Sequence, residues 1–178
     1  LQDQVPGACC FTESKCVDNV TFDECSIFGG KFVGEKTQCS ANTCTLAEGD
    51  ECDQATIAYL GINPFDTSDA TPSSPEPSES MCEDSLLFWS NSPDIWMKWI
   101  ATDDGVASFS TCDPMSFDTS IVLYEGDCSS QVACNGDGPS DSECQDYYSH
   151  ITHDVSARQV YFVRIGGWQG GTGVGSLY

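Results

Sequence analysis

Oxygen-bearing side chains cluster in "CNGDGPSDSE", which spans residues 134 to 143. Within it, Asn135, Asp137, Asp141 and Glu143 place four oxygen donors on a loop that contains glycine. Calcium prefers several hard oxygen ligands and tolerates a flexible arrangement of them. The sequence therefore predicts a calcium site at these four residues, with a solvated acidic loop as the alternative.

Two histidines, His150 and His153, stand three residues apart in "HITHD". They would converge on one zinc ion only in a helix or a turn, because residues three apart on a strand face opposite sides. The sequence shows no G-x-S-x-G elbow and no phosphate-binding loop. Carboxylate pairs are expected by chance among 28 acidic residues. We therefore expect a protein that is not an enzyme and that has no cofactor other than calcium.

The charge balance excludes some partners. The chain has 28 Asp and Glu against 6 Lys and Arg, a formal net charge of -22. Nucleic-acid affinity comes largely from basic residues, and an acidic surface also repels anionic lipid. No stretch approaches the roughly 20 apolar residues of a membrane-spanning helix. We expect neither nucleic-acid binding nor membrane insertion.

Cysteine usage indicates the compartment. Twelve cysteines, an even number, are spread over both halves of the chain. A cytosol would keep them reduced, whereas an oxidising exterior would pair them. The first residues, "LQDQVPGACC", lack the basic and apolar regions of a signal peptide. We expect the processed form of a secreted or cell-surface protein.

The first 45 residues are too short to build much of a core, so disulfides must replace it. Six cysteines lie there: Cys9, Cys10, Cys16, Cys25, Cys39 and Cys44. They allow fifteen connectivities, among which the sequence does not choose. The stretches "GACCFTESKC" and "GKFVGEKTQC" resemble small hairpins closed by cystines. Between them, Thr21 and Glu24 have capping-box spacing and Gly29 can end a helix, which predicts one short helix.

From Leu46 onward, short alternating runs rich in aromatic and β-branched residues are separated by turn residues. This texture predicts an antiparallel β-sandwich or jelly roll. The predicted strands are "SLLFWS", "DIWMKWIAT", "GVASFSTC", "SIVLYEG" and "QVYFVRIGG". In "SIVLYEG", Ile121 and Leu123 point to one face while Val122 and Tyr124 point to the other. Because both faces are apolar, this strand should be central or covered on its second face.

The segment "TSDATPSSPEPSES", residues 67 to 80, cannot bury enough apolar surface to fold alone. We expect a loose excursion that is held by its own domain, by attached glycans or by a neighbouring subunit. The "NVT" sequon predicts N-glycosylation at Asn19. O-linked sugars on residues 67 to 80 are an alternative.

Two parts of the chain resemble known modules. The pattern of Cys and Gly over residues 7 to 44 resembles a small cysteine-rich repeat of large secreted and surface proteins of environmental bacteria. The remainder resembles a jelly-roll module similar to bacterial pre-peptidase C-terminal domains. The matching motifs are "GDECDQA" at 49 to 55, "DIWMKWIAT" at 94 to 102, "STCDPMSFDTSIVLYEGDC" at 110 to 128, "ACNGDG" at 133 to 138 and "YFVRIGGWQGGTGVGSLY" at 161 to 178.

The resemblance implies a mostly β fold with a cysteine-rich module at 1–45 and a jelly-roll sandwich at 46–178. It also implies a strand at 150 to 154, which argues against zinc. The implied disulfides of the sandwich are Cys128 with Cys134, Cys52 with Cys82, and Cys112 with Cys144. The glycines from Gly166 to Gly173 are expected to form a tight hairpin between the last two strands.

These features favour a non-catalytic extracellular structural or adhesive protein, a self-assembling subunit of a surface fibre. Residues 1 to 8 or 67 to 80 are then expected to contact another copy, head to tail, since neither segment has the apolar content to be held by its own domain. The alternative is a carbohydrate-binding accessory module of a secreted hydrolase. In that case Trp168 would stack on glycans, whereas the tryptophans within predicted strands should be core: Trp89, Trp96 and Trp99.

Overall fold

The computed structural model describes residues 5–12, 15–40, 44, 47–82 and 87–178. The chain divides into two compact units, Leu1–Leu46 and Ala47–Tyr178, called here the small unit and the sandwich unit. The division falls one residue from the predicted boundary. The described part is mostly β-structure with one α-helix and six disulfides, which confirms the predicted fold class.

The small unit contains a three-stranded antiparallel sheet of β1 (Gly7–Thr12), β2 (Lys15–Val20) and β3 (Lys31–Glu35) in the order β2-β1-β3. The predicted hairpin in "GACCFTESKC" is confirmed as β1 and β2. The second predicted hairpin is wrong, because β3 pairs with β1 rather than with the chain that follows it. Residues 7 and 8 belong to the central strand, so they cannot extend to another copy.

The short helix α1 (Phe22–Ile27) begins as its sequence indicates. The Thr21 backbone N–H donates to Glu24 Oε2 at 2.9 Å, and the Glu24 N–H donates back to Thr21 Oγ1 at 3.3 Å. Gly29 follows the helix with φ +69°, the left-handed conformation that favours glycine at a helix end. The predicted capping box and helix end are confirmed.

Disulfides provide much of the interior of the small unit. They join Cys9 to Cys25, Cys10 to Cys44 and Cys16 to Cys39. Cys10 and Cys16 are opposite one another in the β1–β2 register, yet each bonds elsewhere. The buried apolar residues of this unit, within the described residues, are Ala8, Cys9, Cys10, Cys25 and Cys44.

One layer of the sandwich unit is a five-stranded sheet in the order β4-β6-β11-β8-β9. Its strands are β4 (Thr56–Ile57), β6 (Asp94–Ile100), β8 (Thr119–Glu125), β9 (Gln131–Asn135) and β11 (Val160–Gly167). All neighbours are antiparallel except β4 and β6. The predicted strands "DIWMKWIAT", "SIVLYEG" and "QVYFVRIGG" are thereby confirmed.

The second layer consists of two strand pairs. The strands β7 (Gly105–Ser110) and β10 (His150–Val155) form one pair, and β5 (Asn63–Asp66) and β12 (Val174–Leu177) form the other. The pairs meet where Ser110 and Tyr178 exchange backbone hydrogen bonds of 3.1 and 2.8 Å. Side chains from both layers interdigitate in one core, as in other β-sandwiches.

Strand β8 is apolar on both faces, as predicted. Ile121 and Leu123 are fully buried in the core between the layers. Val122 and Tyr124 lie in a second buried cluster on the opposite face of the sheet, together with Leu87, Trp89, Trp96 and Cys134. The five-stranded sheet is therefore covered on both sides.

Two strand-level predictions are wrong. Residues 87 to 90 of "SLLFWS" form no strand, and the rest of that run lies outside the described residues. The glycines from Gly166 onward do not form a hairpin, because β11 and β12 belong to different sheets. Gly166 and Gly167 lie within β11, where a Cβ would collide with Trp89 and with the Gly171 backbone. Close packing, rather than a tight turn, requires these two glycines.

Two of the three implied disulfides in the sandwich unit are also wrong. Cys112–Cys144 is confirmed, but the other bonds are Cys52–Cys128 and Cys82–Cys134. Cys134 stands opposite Val122 in the ladder and faces the second buried cluster, against which Cys52, Cys82 and Cys128 also pack. The backbone ladder already closes the β8–β9 hairpin, so both disulfides instead attach more distant segments to this face. None of the described helices has the length and apolarity needed to cross a bilayer.

Candidate functional site

Among the residues that the structure describes, β7 has one edge without a neighbouring strand. In the described part of the chain its sheet contains only β10 and β7. Ser110 directs its backbone N–H and C=O away from β10, because both bond to Tyr178. In an antiparallel ladder, alternate residues direct their backbone groups to the same side. The backbone groups of Val106 and Ser108 therefore point to the open edge.

The backbone bonds of the neighbouring strand β10 support this assignment of backbone directions along β7. The His150 N–H on β10 donates to Asn135 Oδ1 at 2.8 Å, away from β7. His150 is opposite Ser110 in the register, so neither residue uses its backbone groups for the β7–β10 ladder. The bonds of that ladder thus fall at the intervening pairs, such as Phe109 with Ile151.

The empty position beside the open edge of β7 is collinear with β12. Leu177 is opposite Asn63 on β5, while Tyr178 is opposite Ser110 at the end of β7. An extended segment placed in line with β12 beyond Tyr178 would run antiparallel to β7 and beside residues 105 to 109. We call this position, with the cavity beneath it, the strand slot.

The strand slot contains an apolar cavity of about 300 Å³ between β7 and residues 58 to 63. Core side chains line its depth: Trp99, Phe109, Val155, Val163 and Leu177. Around its mouth, Tyr59, Leu60 and Val106 are 72%, 80% and 71% exposed. A contiguous exposed apolar patch on a protein surface is typical of an interaction site.

Asn63 holds one wall of the strand slot in place. Its carboxamide accepts from the Tyr59 N–H at 2.8 Å and donates to the Tyr59 carbonyl at 2.8 Å. It also donates to Gly61 O and Leu177 O at 2.9 and 3.1 Å. These bonds occupy both backbone groups of Tyr59 and the carbonyl of Gly61. The described strand edge that borders the slot is therefore that of β7.

Two carboxylates stand at the end of the slot where β7 begins. Asp103 Oδ2 accepts from Thr102 Oγ1 at 2.9 Å, and Asp104 Oδ1 accepts from the Ala157 N–H at 2.8 Å. Both residues line the cavity and both are exposed. Neither makes an ion pair with any residue that the structure describes. The slot therefore combines apolar walls, free backbone groups and a negative rim.

Residues 67 to 80 are held by their own unit. The Thr71 N–H donates to Asp50 Oδ1 at 2.6 Å, and Ser73 Oγ donates to Asp94 Oδ1 at 2.6 Å. Arg164 reaches the same segment through the carbonyl of Ser73 at 2.6 Å. The expectation that this segment cannot be held within its own domain is wrong. Its few apolar side chains would not hold it, but buried polar contacts do.

Arg164 is the centre of that polar network. It is 1% exposed, pairs with Asp94 at 2.8 Å, and donates to the Pro75 carbonyl at 2.8 Å. Its guanidinium lies 5.1 Å from the ring centroids of both Trp89 and Trp96, a distance typical of cation–π contacts. The burial expected for these two tryptophans is confirmed, whereas Trp99 is only partly buried and lines the strand slot.

The predicted calcium loop is not assembled as a ligand cage. Asn135 Nδ2 donates to the Asp137 carbonyl at 3.0 Å, and Asp141 Oδ1 accepts from the Glu143 N–H at 2.9 Å. In the described residues, the carboxylates of Asp137, Asp141 and Glu143 do not converge within metal-binding distance. Calcium binding at this loop stays a prediction.

Asp137 has an electrostatic partner elsewhere, the carboxyl of Asp118. Burial, and to a smaller extent the negative charge of Asp137, raise the pKa of Asp118 to about 6. Asp118 Oδ1 is buried, and no described residue forms a hydrogen bond with it. Sequence inspection gave no signal for this pair, since the two residues meet only through the fold.

The remaining predicted positions are also located. His150 bonds Ser108 Oγ through Nε2 at 2.8 Å, while His153 packs against Tyr161, so the two rings do not converge. The predicted Asn19 glycosylation site is exposed on β2 and stays a prediction. The one cluster with metal-ligand spacing among the described residues is Cys10, Cys16 and Cys44, all of which are in disulfides.

Two aromatic rings lie together on the surface of the sandwich unit. Phe88 and Trp168 are 50% and 42% exposed, and their ring centroids are 6.1 Å apart. Ser92 joins the two turns that carry them, because its Oγ donates to the Gly167 carbonyl at 2.7 Å. The exposure expected for Trp168 is confirmed.

Comparison with known proteins identified no relative of this chain. No protein-family model matches the chain, and no curated protein matches it significantly.

Proposed function

We propose that this chain is a non-catalytic extracellular structural or adhesive subunit that joins its neighbour by strand addition to β7. The observation that carries the proposal is the strand slot: an open strand edge directly above an apolar cavity. Strand addition supplies affinity through main-chain hydrogen bonds and specificity through pockets for alternate side chains.

Other features of the chain support an extracellular structural role. Six disulfides indicate an oxidising environment and resist unfolding outside the cell. The neighbour expected from the sequence is another copy, docked head to tail. Contacts of this heterologous kind propagate into a fibre when the rotation between subunits does not close a ring.

The decisive variant is Ser108→Pro in the full chain. The Ser108 N–H points into the strand slot, so proline removes a donor from the open edge while the ladder to β10 keeps its bonds. Thr152→Pro is the matched control. It places proline in the same sheet at the residue opposite Ser108, with its N–H on the outer edge of β10.

Association is measured by light scattering after size exclusion and by negative-stain electron microscopy over a range of concentrations. We expect the parent chain and Thr152→Pro to form assemblies, and Ser108→Pro to stay monomeric with an unchanged circular dichroism spectrum. A parent chain that is monomeric at all concentrations contradicts the proposal. So do assemblies of folded Ser108→Pro that match those of the parent.

A carbohydrate-binding role is the second candidate, supported by the exposed Phe88–Trp168 pair. Aromatic rings held side by side on a surface offer apolar faces to which sugar rings can bind. Retention of the chain on insoluble cellulose or chitin, lost in Trp168→Ala and Phe88→Ala, would favour this role. Equal retention of parent and variants would contradict it.

A further inference from the structure

We infer that the strand slot selects an extended segment with two apolar side chains in alternation, followed at its C-terminal end by Lys or Arg. This inference rests on the proposed function, since it specifies what β7 accepts. The occupant is a single extended strand of a partner chain. It is recognised by backbone pairing, by a cavity for alternate side chains and by a negative rim.

The apolar positions follow from the register of β7. Residues directly opposite one another on paired strands project to the same face. Phe109 is buried in the core and Ala107 packs against it, so both project inward. Occupant residues opposite these two positions would therefore project into the cavity of about 300 Å³. Intervening occupant residues would project outward, beside the exposed side chain of Val106.

The size of the slot limits what can enter. A cavity of about 300 Å³ is at the lower end of the range for ligand pockets, roughly 300 to 1,000 Å³. The wall built around Asn63 stands on the side opposite β7. A strand that brings its own sheet would meet the exposed side chains of Tyr59 and Leu60, so we infer that the occupant enters as a single strand.

The basic residue follows from the direction of the occupant. A segment in line with β12 runs antiparallel to β7, so its C-terminal end reaches Gly105 and the rim carboxylates of Asp103 and Asp104. These carboxylates have no cationic partner in the described part of the chain. A Lys or Arg at this end would complement them, whereas Glu or Asp would add to a chain of net charge -22.

This chemistry distinguishes candidate partners. Residues 1 to 8, "LQDQVPGA", contain an aspartate and no Lys or Arg. They do not match the predicted occupant, and residues 7 and 8 are already within β1. The segment that a neighbouring copy places in the strand slot is therefore one other than residues 1 to 8.

Binding of short labelled peptides to the full chain tests the inference by fluorescence anisotropy. The probe is an amidated, acetylated hexapeptide of sequence Val-Thr-Val-Thr-Thr-Lys, whose two valines would lie opposite Phe109 and Ala107. One control peptide replaces Lys by Glu, a second replaces both valines by Thr, and a third is "LQDQVPGA". We expect the probe to bind at least about tenfold more tightly than each control, and the preference over the Glu peptide to shrink with added salt.

Charge reversal makes the test specific. Asp103→Lys should abolish the preference between the Lys and Glu peptides, because the new cation cancels the remaining charge of Asp104. Asp103 bonds only Thr102 in the described structure, so we expect the variant to fold. Asp154→Lys, an equal charge change on exposed β10, should leave the preference as in the parent. Equal binding of the Lys and Glu peptides by the parent, or a preference that Asp103→Lys does not alter, overturns the inference.

The two proposals fail separately. If the parent assembles and Ser108→Pro does not, while "LQDQVPGA" binds more tightly than the probe, strand addition stands and the basic-segment inference is wrong. If the probe binds with the predicted charge dependence but the chain never assembles, the inference stands and the role as a self-assembling subunit is wrong.

Discussion

The small unit and the sandwich unit have different kinds of interior. Among the described residues of the small unit, four of the five buried apolar residues are cysteines, so sulfur occupies the place of a hydrocarbon core. The sandwich unit buries aliphatic and aromatic side chains between two layers, including Ile121, Leu123 and Ile165. Short segments cannot remove enough apolar surface from water, so covalent bonds must limit the unfolded state instead.

The disulfides of the sandwich unit have a different role from those of the small unit. Cys52–Cys128 and Cys82–Cys134 lie on the outer face of a sheet that already has a core on its other side. Cys82–Cys134 lies next to the Ser- and Pro-rich segment, which Arg164 and Asp94 hold over that face. In one unit the disulfides replace the core, and in the other they attach a covering segment to it.

Reduction of the disulfides should produce the largest difference in stability between the two units. Mild reductant should unfold the small unit while β6, β8 and β11 keep their structure, because each lost crosslink removes about 3 to 4 kcal/mol from a unit with few apolar contacts. Hydrogen exchange with mass spectrometry would follow the backbone, and thiol labelling would follow the cysteines. Equal protection of both units at every reductant concentration would remove the distinction.

The next largest effect is expected at the buried ion pair of the sandwich unit. Arg164→Met should cost about 3 to 5 kcal/mol of unfolding free energy, because it leaves the carboxylate of Asp94 buried without its cation. Urea unfolding measures the loss, and limited proteolysis should show faster cleavage at residues 74 to 76. The double variant Arg164→Met with Asp94→Leu should recover part of the stability. A double variant as unstable as the sum of both single variants would contradict this account.

Truncation of apolar side chains should destabilise the sandwich unit more than the small unit. Leu123→Ala removes a fully buried side chain and should destabilise the sandwich unit by about 2 to 5 kcal/mol. Phe32→Ala in the small unit should cost less, because Phe32 is only partly buried and packs on the exposed ring of Phe22. Urea unfolding of each unit, followed by hydrogen exchange, gives both values. A larger loss for Phe32→Ala would show that the small unit depends on apolar packing after all.

The smallest effect is expected from pH, and only in the sandwich unit. The pKa of Asp118 is about 6 in the folded protein against an ordinary value of 3.8, so the folded state binds its proton more tightly. This group therefore favours folding below pH 4, and its contribution declines as pH rises through about 6. Because solvent screens part of the interaction, the change should stay below about 1 kcal/mol.

Asp118→Asn isolates that contribution from other titrating groups. The variant should gain stability over the parent at pH 7 and lose most of that gain at pH 4, as measured by urea unfolding at both values. Asp127→Asn is the control, since its carboxyl is exposed and its pKa lies below the ordinary range, at about 2. A difference between Asp118→Asn and parent that is the same at both pH values would contradict the raised pKa.

Local patterns in the sequence determined several elements of this protein. The spacing of Thr21 and Glu24 set the start of α1, since a capping box involves only residues within one turn. The alternation in "SIVLYEG" identified β8 as a strand covered on both faces, because side-chain direction in a strand depends on residue parity alone. The cysteine count indicated disulfides, and the composition indicated a mostly β fold.

Pairings between distant residues were decided only by the tertiary structure. The bonds Cys52–Cys128 and Cys82–Cys134 depend on which face of the sheet each cysteine reaches, and proximity in sequence gives no information about that. The docking of residues 67 to 80 depends on Arg164, about ninety residues away. In the described part of the chain, β7 has an open edge because its sheet ends there and β12 lies in line with the gap. Any strand has two edges by its chemistry, and only the arrangement of the others determines which edge stays free to bind a partner.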